Sequence, residues 1–448
     1  ELGAALAEHG LDYAHTAAPT AVIRPDGSSA VLTMDRGTNI AAFDALADGD
    51  GARHKAAVEG VERDADFLFA LLGQPLWSRR TAWMVAKRAW KQGLGPLKAW
   101  FGQALEPARG WLETDFRSAE VQALFAPWVL HTGLTPESAY SGQMGRVIAF
   151  ALEAAGAPVV KGGAGAAADA FVRLIEAQGG EVRLSTEATG IVVEDGVARG
   201  VECADGTRIA ASEVIASLPP SRLLALLDDP AEAENARNYR HGRGNFQLHY
   251  ALDGAPDWIA DGMADVALIH LTDGIDAVSR SSNEAVRGLL PAMPTICVGQ
   301  PHRLDPTRCP DGKAILWCQI PDAPRLPRGD AAGSIGIGRP GWTDTLREAF
   351  ADRIEGILRA HIRNFDAIKL ARRAYSPTDL ETINPNLVGG DPYGGSCEID
   401  QFFVWRPFKT SADNGTSIRK LHLIGAATHP GPGLGGGSGY NVARGLGA

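Results

Sequence analysis

The residues whose types and spacing best suit binding chemistry lie near the end of the chain, in a glycine-rich stretch. Residues 421–424 are mostly apolar and predict a short buried strand. Residues 425–439 form a glycine-rich loop, and Tyr440 begins the next predicted helix. Because glycine carries no side chain, such a loop lets bare backbone approach a flat or anionic ligand, and the N–H groups at the helix start point toward that ligand.

Within this stretch, a Thr-His-Pro-Gly cluster precedes a Gly-Tyr-Asn helix start. The combination resembles the C-terminal signature of the phytoene dehydrogenase-like flavoproteins, within the wider group of FAD-dependent oxidoreductases that includes the amine oxidases. The alternative is a generic glycine-rich loop. The matching positions are Gly425, Thr428, His429, Pro430, Gly431, Gly433, Gly439, Tyr440 and Asn441.

The resemblance implies that the loop lies along the flavin of a bound FAD, with the backbone of residues 439–441 facing the pyrimidine edge. Two roles stay open for His429: it orients substrate or exchanges a proton near the ring, or it makes a structural hydrogen bond within the turn. Arg406 anchors the loop or a phosphate, and the structural role is favoured. The implied cofactor-binding residues are Gly425, Ala426, Thr428, Pro430, Gly431, Gly433, Gly437, Gly439, Tyr440, Asn441, Ala188 and Ser217.

A second glycine turn, Gly163 to Ala168, matches the Gly-x-Gly-x-x-Gly/Ala dinucleotide pattern, and Glu187 stands near the expected acidic position. Taken literally, this pattern predicts a nicotinamide site. However, the strand before it is short, and the resemblance makes this turn the start of the chain's return to the FAD domain. On that interpretation Ala188 contributes backbone near the adenine, and Ser217 lies at the ligand edge. The sequence also predicts a strand over residues 181–185, between this glycine turn and Ala188.

Composition narrows the classes of partner. The 448 residues carry a formal net charge of −10, which argues against nucleic acid. Five widely spaced cysteines fit neither a disulfide framework nor a zinc site, so no metal is predicted. His249, His270, His302 and His361 are isolated in the sequence, and surface or core roles are favoured for them over metal ligation.

Segment 77–111 is unusual, because it holds five of the ten tryptophans and seven cations against one acid. A basic amphipathic stretch with tryptophans can lie on a membrane surface. The alternative, which we favour, is a cap whose aromatic residues are core and whose cations face water. No run of about 18 apolar residues occurs, so no spanning helix is predicted. We expect a cytoplasmic protein, with this segment as a candidate peripheral membrane contact.

The predicted fold class is α/β. An FAD-binding Rossmann-like domain of the glutathione reductase and amine oxidase type is interleaved with a substrate domain that combines a mixed sheet and a helical cap. The spacing of Leu346, Phe350, Ile354 and Leu358 predicts an amphipathic helix within 344–364. The predicted order is a helix-rich cap and substrate-domain segment at 1–155, an FAD-binding segment at 156–220, the substrate-domain sheet and helices at 221–375, and a C-terminal FAD-binding segment at 376–448. The N-terminal FAD fingerprint is missing before Glu1, so we expect a fragment.

The favoured function is an FAD-dependent oxidoreductase that oxidises or desaturates an apolar, isoprenoid or lipid-like substrate and passes electrons to an unknown acceptor. A flavin carries the redox chemistry, so no nucleophile or metal cluster is required. One alternative is an amine oxidase-like enzyme with a lysine at the flavin, for which Lys161 and Lys409 are candidates. The other is a non-catalytic relative that lacks FAD. The sequence does not fix the oligomeric state.

Overall fold

The largest element is a seven-stranded mixed sheet that draws its strands from distant parts of the chain. The structure is a computed structural model that describes residues 2–227, 229–408, 414–433 and 436–447. The strands are, in chain order, β1 (Tyr13–Ala14), β2 (Ala18–Ile23), β3 (Ser29–Leu32), β4 (Val159–Val160), β5 (Ala188–Glu194), β6 (Val197–Cys203), β7 (Arg208–Ala210), β8 (Val214–Ala216), β9 (Gly244–Leu252), β10 (Val266–Leu271), β11 (Leu289–Leu290), β12 (Ile296–Gly299), β13 (Ala314–Ala323), β14 (Gly329–Asp330), β15 (Lys369–Tyr375) and β16 (Leu421–Leu423).

Helices cover the sheet and build the cap. They are α1 (Leu2–Glu8), α2 (Arg36–Leu46), α3 (Asp50–Gly73), α4 (Arg79–Gln92), α5 (Leu94–Ala104), α6 (Ala108–Asp115), α7 (Ala119–Phe125), α8 (Ser141–Ala155), α9 (Ala164–Ala177), α10 (Pro220–Leu224), α11 (Pro230–Asn238), α12 (Ile275–Val286), α13 (Pro301–Leu304), α14 (Asp344–His361), α15 (Phe365–Ile368), α16 (Pro377–Ile383) and α17 (Gly437–Leu446). Five 3-10 helices span Ala126–Thr132, Pro306–Arg308, Val388–Gly390, Ile399–Gln401 and Phe403–Trp405 in the described residues.

The main sheet has the strand order β15-β9-β13-β12-β10-β2-β3. Helix α14 packs on one face, where Phe350, Ile354 and Leu358 are fully buried against the sheet. Burying each such side chain contributes about 1.5–3 kcal/mol, so the helix predicted from their spacing is held mainly by this contact. The other face carries a second core, formed with the helical segment around Trp111 and Phe125.

The helical character predicted for residues 41–155 is present, but the aromatic residues of segment 77–111 divide into two groups. Trp111 is fully buried, and Trp100 packs edge-on against Phe67 with ring centroids 5.0 Å apart. Trp83 and Trp90, by contrast, are 62% and 85% exposed on α4. The prediction that the aromatic residues of this segment are core residues therefore holds for its end, and it does not hold for α4.

Four small sheets lie outside the main one in the described residues, and one of them is the parallel pair of β11 with β14. Strand β1 pairs with β4, β5 to β7 form an antiparallel sheet, and β8 pairs in parallel with β16. The strand predicted over residues 181–185 is wrong, because the backbone there is irregular and the first strand of that region starts at Ala188. Leu184 is 83% exposed, so this segment lacks the buried face that a strand there would need.

Candidate cofactor-binding site

The predicted cofactor loop begins where two parallel strands end side by side. Leu423 of β16 is paired with Ala216 of β8, so Gly425 and Ser217 follow the carboxyl ends of neighbouring strands. Gly425 has a φ of 93°, and a Cβ built on it would lie 3.0 Å from the Ser217 hydroxyl oxygen. Glycine therefore permits this close approach. In parallel α/β sheets, ligands bind beyond the carboxyl ends of the strands, which is where this loop lies.

Hydrogen bonds within the loop fix its shape. The Thr428 hydroxyl donates to the Gly425 carbonyl at 3.0 Å, and the Gly431 N–H donates to the Thr428 carbonyl at 2.6 Å. The Gly425 N–H donates to the Ser438 hydroxyl at 2.9 Å, which ties the first turn of α17 to the start of the loop. Thr428 is fully buried, so its side chain holds the loop and does not face a ligand.

Arg406 anchors the loop from the protein interior. Its buried guanidinium donates to the Ala426 carbonyl at 2.7 and 3.0 Å, to the Tyr393 carbonyl at 2.7 Å and to the Ser396 carbonyl at 2.9 Å. Its central carbon also lies 5.4 Å from the ring centroid of Phe402. Hydrogen bonds from a charged donor contribute more than neutral ones, at about 1.5–3 kcal/mol each. Of the two roles predicted for Arg406, the geometry supports loop anchoring.

His429 reaches away from the loop to the end of α3. Its Nε2 lies 2.9 Å from the Gln74 carbonyl oxygen. A carbonyl only accepts, so Nε2 carries the hydrogen and Nδ1 has a free lone pair. Nδ1 is buried and has no hydrogen-bond partner in the described structure. Burial lowers the pKa of His429 to about 4, so the ring is neutral near pH 7.

Asn441 makes a parallel contact with the same helix end. Its side-chain amide donates to the Gly73 carbonyl at 3.2 Å. Tyr440, one residue earlier, is largely exposed, with the Arg444 guanidinium 5.8 Å from its ring centroid. The carbonyls of Gly73 and Gln74 are therefore the groups that the sequence analysis missed. They are backbone groups more than 350 residues away in the chain, and no side-chain pattern marks them.

Gly433 and Gly436 are two further glycines of the loop, and neither carries a side chain. Among the described residues, a Cβ built on Gly433 or Gly436 would meet no atom within 4 Å, so no described side chain fills the space beside them. On the protein side, a Cβ on Gly437 would meet Pro430 at 2.8 Å, which closes that flank. Helix α17 starts immediately afterwards, with Gly439 in its first turn. An open glycine surface beside a helix start fits a flat ligand with acceptor groups at one edge.

Ala188 stands apart from this arrangement. It opens β5 and pairs with Cys203 in the separate antiparallel sheet, whereas Ser217 and the loop share the β8–β16 edge. The structure thus brings Ser217 against Gly425, and it gives Ala188 a different sheet.

The first glycine turn has another geometry. Strand β4, which precedes it, is two residues long and pairs antiparallel with β1, whereas a dinucleotide turn follows a parallel strand. The Gly162 N–H donates to the Asp305 carboxylate at 2.8 Å, and the Arg308 guanidinium faces Gly163. Protein groups therefore occupy the side of the turn where a pyrophosphate would bind.

Comparisons with known proteins identify the family of the chain. A family model described as flavin containing amine oxidoreductase matches residues 108–383, more than half of the chain. Pyridine nucleotide-disulfide oxidoreductase domain-containing protein 2 of Mus musculus is 26% identical over 302 residues, which is 64% of this chain and 50% of that protein. A 4,4'-diapophytoene desaturase of Methylomonas is 24% identical over 285 residues, which is 61% of this chain and 50% of that protein. One component of the limonene dehydrogenase of Castellaniella defragrans is 24% identical over 465 residues, with 97% and 80% covered. The chain thus spans half the length of the first two of these relatives.

Solved structures support the fold. Putrescine oxidase bound to putrescine superposes with a TM-score of 0.56 at 14% identity, covering 99% of this chain and 85% of that one. An oxidoreductase from Methanosarcina mazei gives 0.55 at 13% identity, covering 98% and 83%. The predicted fold class and family resemblance are confirmed. The family implies a flavin cofactor, typically FAD, and the open glycine surface before Gly433 and Gly436 fits its flat ring. The chain belongs to the flavin containing amine oxidoreductase family.

Proposed function

We propose that this protein is an FAD-dependent oxidoreductase that oxidises or desaturates an apolar substrate. The observation that carries the proposal is the glycine loop beyond β8 and β16, held by Arg406 from within and open before Gly433 and Gly436. When bound, the flavin supplies the electron-accepting chemistry. The protein supplies the position of the ring, the electrostatics at its edge and the shape of the substrate space.

The residues of the chain have separable tasks in this proposal. The first N–H groups of α17, near Gly439, stabilise negative charge at the edge of the ring. His429 fixes the loop through Nε2 and presents Nδ1 as a hydrogen-bond acceptor. Because its pKa is about 4, it accepts a hydrogen bond at neutral pH and holds no proton of its own at that atom.

A cavity of about 500 Å³, none of whose lining residues belongs to the glycine loop, has a size and character that suit an apolar substrate. It lies between the main sheet and the segment that leads into α9, and its walls include Pro158, Val160, Leu268, Ile315 and Trp317. His249 and Arg308 are among its polar lining residues. A mostly apolar cavity with few polar groups is the usual form of a small-molecule site. Two relatives are named for apolar substrates: one is a diapophytoene desaturase, and the other is a limonene dehydrogenase component.

Amine oxidation is less well supported. Lys161, the predicted candidate, is exposed beside β4 and pairs with Asp12 at 2.7 Å, so it serves the first glycine turn. Lys409, the second candidate, lies outside the described residues. No specific contact of the loop, in the part of it that the structure describes, therefore favours an amine substrate over an apolar one.

Flavin binding and substrate class can be tested on one sample. The purified protein is titrated with FAD, and the flavin absorbance of the bound fraction is recorded. Terpene or carotenoid substrates and, separately, short amines are then added without oxygen, and bleaching of the flavin is followed. We expect bleaching by the apolar compounds only. A protein that stays colourless with FAD contradicts the proposal and favours the non-catalytic alternative. Bleaching by amines alone favours the amine oxidase alternative.

The same proposal includes contact between α4 and an anionic membrane surface. Trp83, Lys87, Trp90 and Lys91 follow one another at helical spacing on α4 and are all at least partly exposed. In the described part of the chain, neither lysine pairs with a carboxylate, whereas Arg88 on the buried side pairs with Asp64 at 2.7 Å. A face that mixes tryptophan and cations suits the lipid headgroup region. No helix in the described part of the chain combines the length and apolar character that crossing a bilayer demands.

Vesicle sedimentation tests this contact. Vesicles that contain phosphatidylserine should carry the protein down, and Trp83→Ala with Trp90→Ala should reduce the bound fraction at least about tenfold, since each indole loses buried area at the interface. Trp405→Ala removes another exposed tryptophan outside α4 and is the matched control. Equal binding of both variants would place the contact elsewhere, and no binding by the parent protein would remove it.

A further inference from the structure

Three potential metal ligands meet on the sheet face opposite α14. They are His131, at the end of the 3-10 helix Ala126–Thr132, His270 on β10 and Cys297 on β12. Their candidate ligand atoms all lie within 4.8 Å of one another. His270 is a fully buried core residue, as one of its two favoured roles predicted, and its Nε2 lies 2.9 Å from Nε2 of His131.

The sheet register explains why two of these side chains adjoin. His270 is the direct antiparallel partner of Cys297, so their side chains leave the same face of the sheet. Cys297 is in turn the partner of Gln319, and Gln319 is the partner of Gln247. A polar row therefore crosses this face, while the alternate residues enter the apolar core beneath α14.

Burial makes the cluster unusual. His270 and Cys297 are fully buried, and His131 is half-buried above them. A neutral imidazole has one N–H and one nitrogen lone pair, so each of the two histidines can offer one ring nitrogen to an ion. Nδ1 of His270 has no hydrogen-bond partner in the described structure, and neither has Nε1 of the adjacent Trp128. The contact between the two rings thus leaves a buried polar atom of the cluster unsatisfied.

We propose that His131, His270 and Cys297 form a binding site for a thiophilic divalent ion, with Zn²⁺ as the best match. Two neutral imidazoles and one thiolate are ligands that Zn²⁺ prefers, and three protein ligands leave a fourth position for water. With ordinary Zn–N and Zn–S lengths, tetrahedral ligands stand about 3.4–3.6 Å apart. The nitrogens must separate by about 0.5 Å, and the widest pair must close by about 1 Å, which side-chain rotation can supply.

Binding involves no redox change. The Cys297 thiol loses its proton to solvent as the S–Zn bond forms, and each histidine donates one ring lone pair. Burial raises the pKa of the free Cys297 thiol to about 12, so the ion must drive this deprotonation. The bound ion would tie the 3-10 helix to β10 and β12, which otherwise meet here through the His131–His270 contact.

The test uses chelator-treated protein dialysed against Zn²⁺ alone and, separately, against Co²⁺ alone. We expect about one Zn²⁺ per chain by elemental analysis, and a tetrahedral Co²⁺ spectrum with a thiolate charge-transfer band, recorded against the metal-free protein. Zn²⁺ should also raise the melting temperature of the parent protein, because it binds the folded state.

Matched variants locate the site. Cys297→Ala should abolish the charge-transfer band, and His131→Gln should weaken Zn²⁺ binding at least about tenfold. Cys318→Ala is the control, since Cys318 is equally buried on the same sheet but faces the core beneath α14. Because His131 is half-buried, its variant decides the matter if Cys297→Ala does not fold. Failure of the parent protein to retain Zn²⁺, or equal loss in Cys297→Ala and Cys318→Ala, would overturn the proposal.

Discussion

Two glycine turns of this chain share a sequence pattern and differ in structure. Both place closely spaced glycines between a short strand and a helix, at residues 162–165 and at residues 425–439. The first follows an antiparallel strand, and Asp305 and Arg308 occupy its open side. The second follows a strand in a parallel pair, and no described residue lies within 4 Å of a Cβ built on Gly433 or Gly436.

The difference shows that glycine spacing alone does not define a cofactor site. The spacing gives the backbone freedom to turn, but the neighbouring strand decides whether a ligand can approach. In the second turn Arg406 holds the Ala426 carbonyl from the interior, and His429 ties the loop to the Gln74 carbonyl. The following predictions test this difference between the two glycine turns.

The largest effect is expected for Arg406→Met. The variant leaves the carbonyls of Tyr393, Ser396 and Ala426 without their buried donor, which should cost about 3 kcal/mol or more in the free energy of unfolding. Urea unfolding measures the loss, and FAD titration should show that binding is lost with it. Normal FAD affinity in this variant would mean that the loop is held by other contacts.

Next comes a matched pair of glycine substitutions. In Gly431→Ala, the new Cβ would lie 2.7 Å from the Phe402 ring at a φ of 102°, which should cost about 2 kcal/mol and weaken FAD binding. In Gly165→Ala, the new Cβ meets nothing within 4 Å, and alanine should stabilise α9 by about 0.5–1 kcal/mol. Thermal melts of both variants measure the two changes in stability. Equal effects of the two variants on FAD binding would contradict the assignment of the cofactor to the second turn alone.

His429 should make stability depend on pH. Its pKa is about 4 in the folded protein and about 6.5 when unfolded, so the unfolded chain binds more protons between these values. Its contribution should therefore be constant above about pH 6.5 and fall by on the order of 2 kcal/mol as the pH approaches 4. His429→Gln should lack this part of the acid sensitivity. The difference between parent and variant in urea unfolding at pH 7 and pH 4.5 measures it, and identical slopes would contradict the assigned burial.

The smallest effect is expected at the first turn. Asp305→Ala removes the acceptor of the Gly162 N–H and of the Thr307 hydroxyl, which should cost about 1 kcal/mol. FAD affinity should not change, because Asp305 and Arg308 contact this turn and we assign the cofactor to the second one. A parallel loss of FAD in dialysis would show that the two turns act on one ligand.

The sequence predicts the regular elements better than the contacts between them. Periodic apolar residues predicted α14, and the Asp26-Gly27 turn between two apolar runs is typical of the β2–β3 hairpin that the structure contains. The strand predicted over residues 181–185 failed because alternation alone does not supply a partner strand or a buried face. The sequence also did not predict which tryptophans are buried and which are exposed, since the exposure of Trp90 depends on how α4 packs.

The contacts of the loop were only partly predictable. The Thr-His-Pro-Gly cluster marked the loop, yet the partners of His429 and Asn441 are carbonyl groups that every residue possesses. The meeting of His131, His270 and Cys297 depends on strand register, and sequence spacing carries no trace of it. Local sequence patterns were therefore predictable, whereas contacts between residues far apart in the chain were not.

The position of Gln74 connects the hydrogen bond of His429 to the start of helix α4. The carbonyl that holds His429 belongs to the residue after α3, and Ser78, which caps α4, follows four residues later. The Thr81 hydroxyl, donating to the Pro75 carbonyl at 2.9 Å, stiffens this short link. If α4 contacts a membrane surface as proposed, a tilt of this helix would be transmitted through the link to the carbonyl that supports His429.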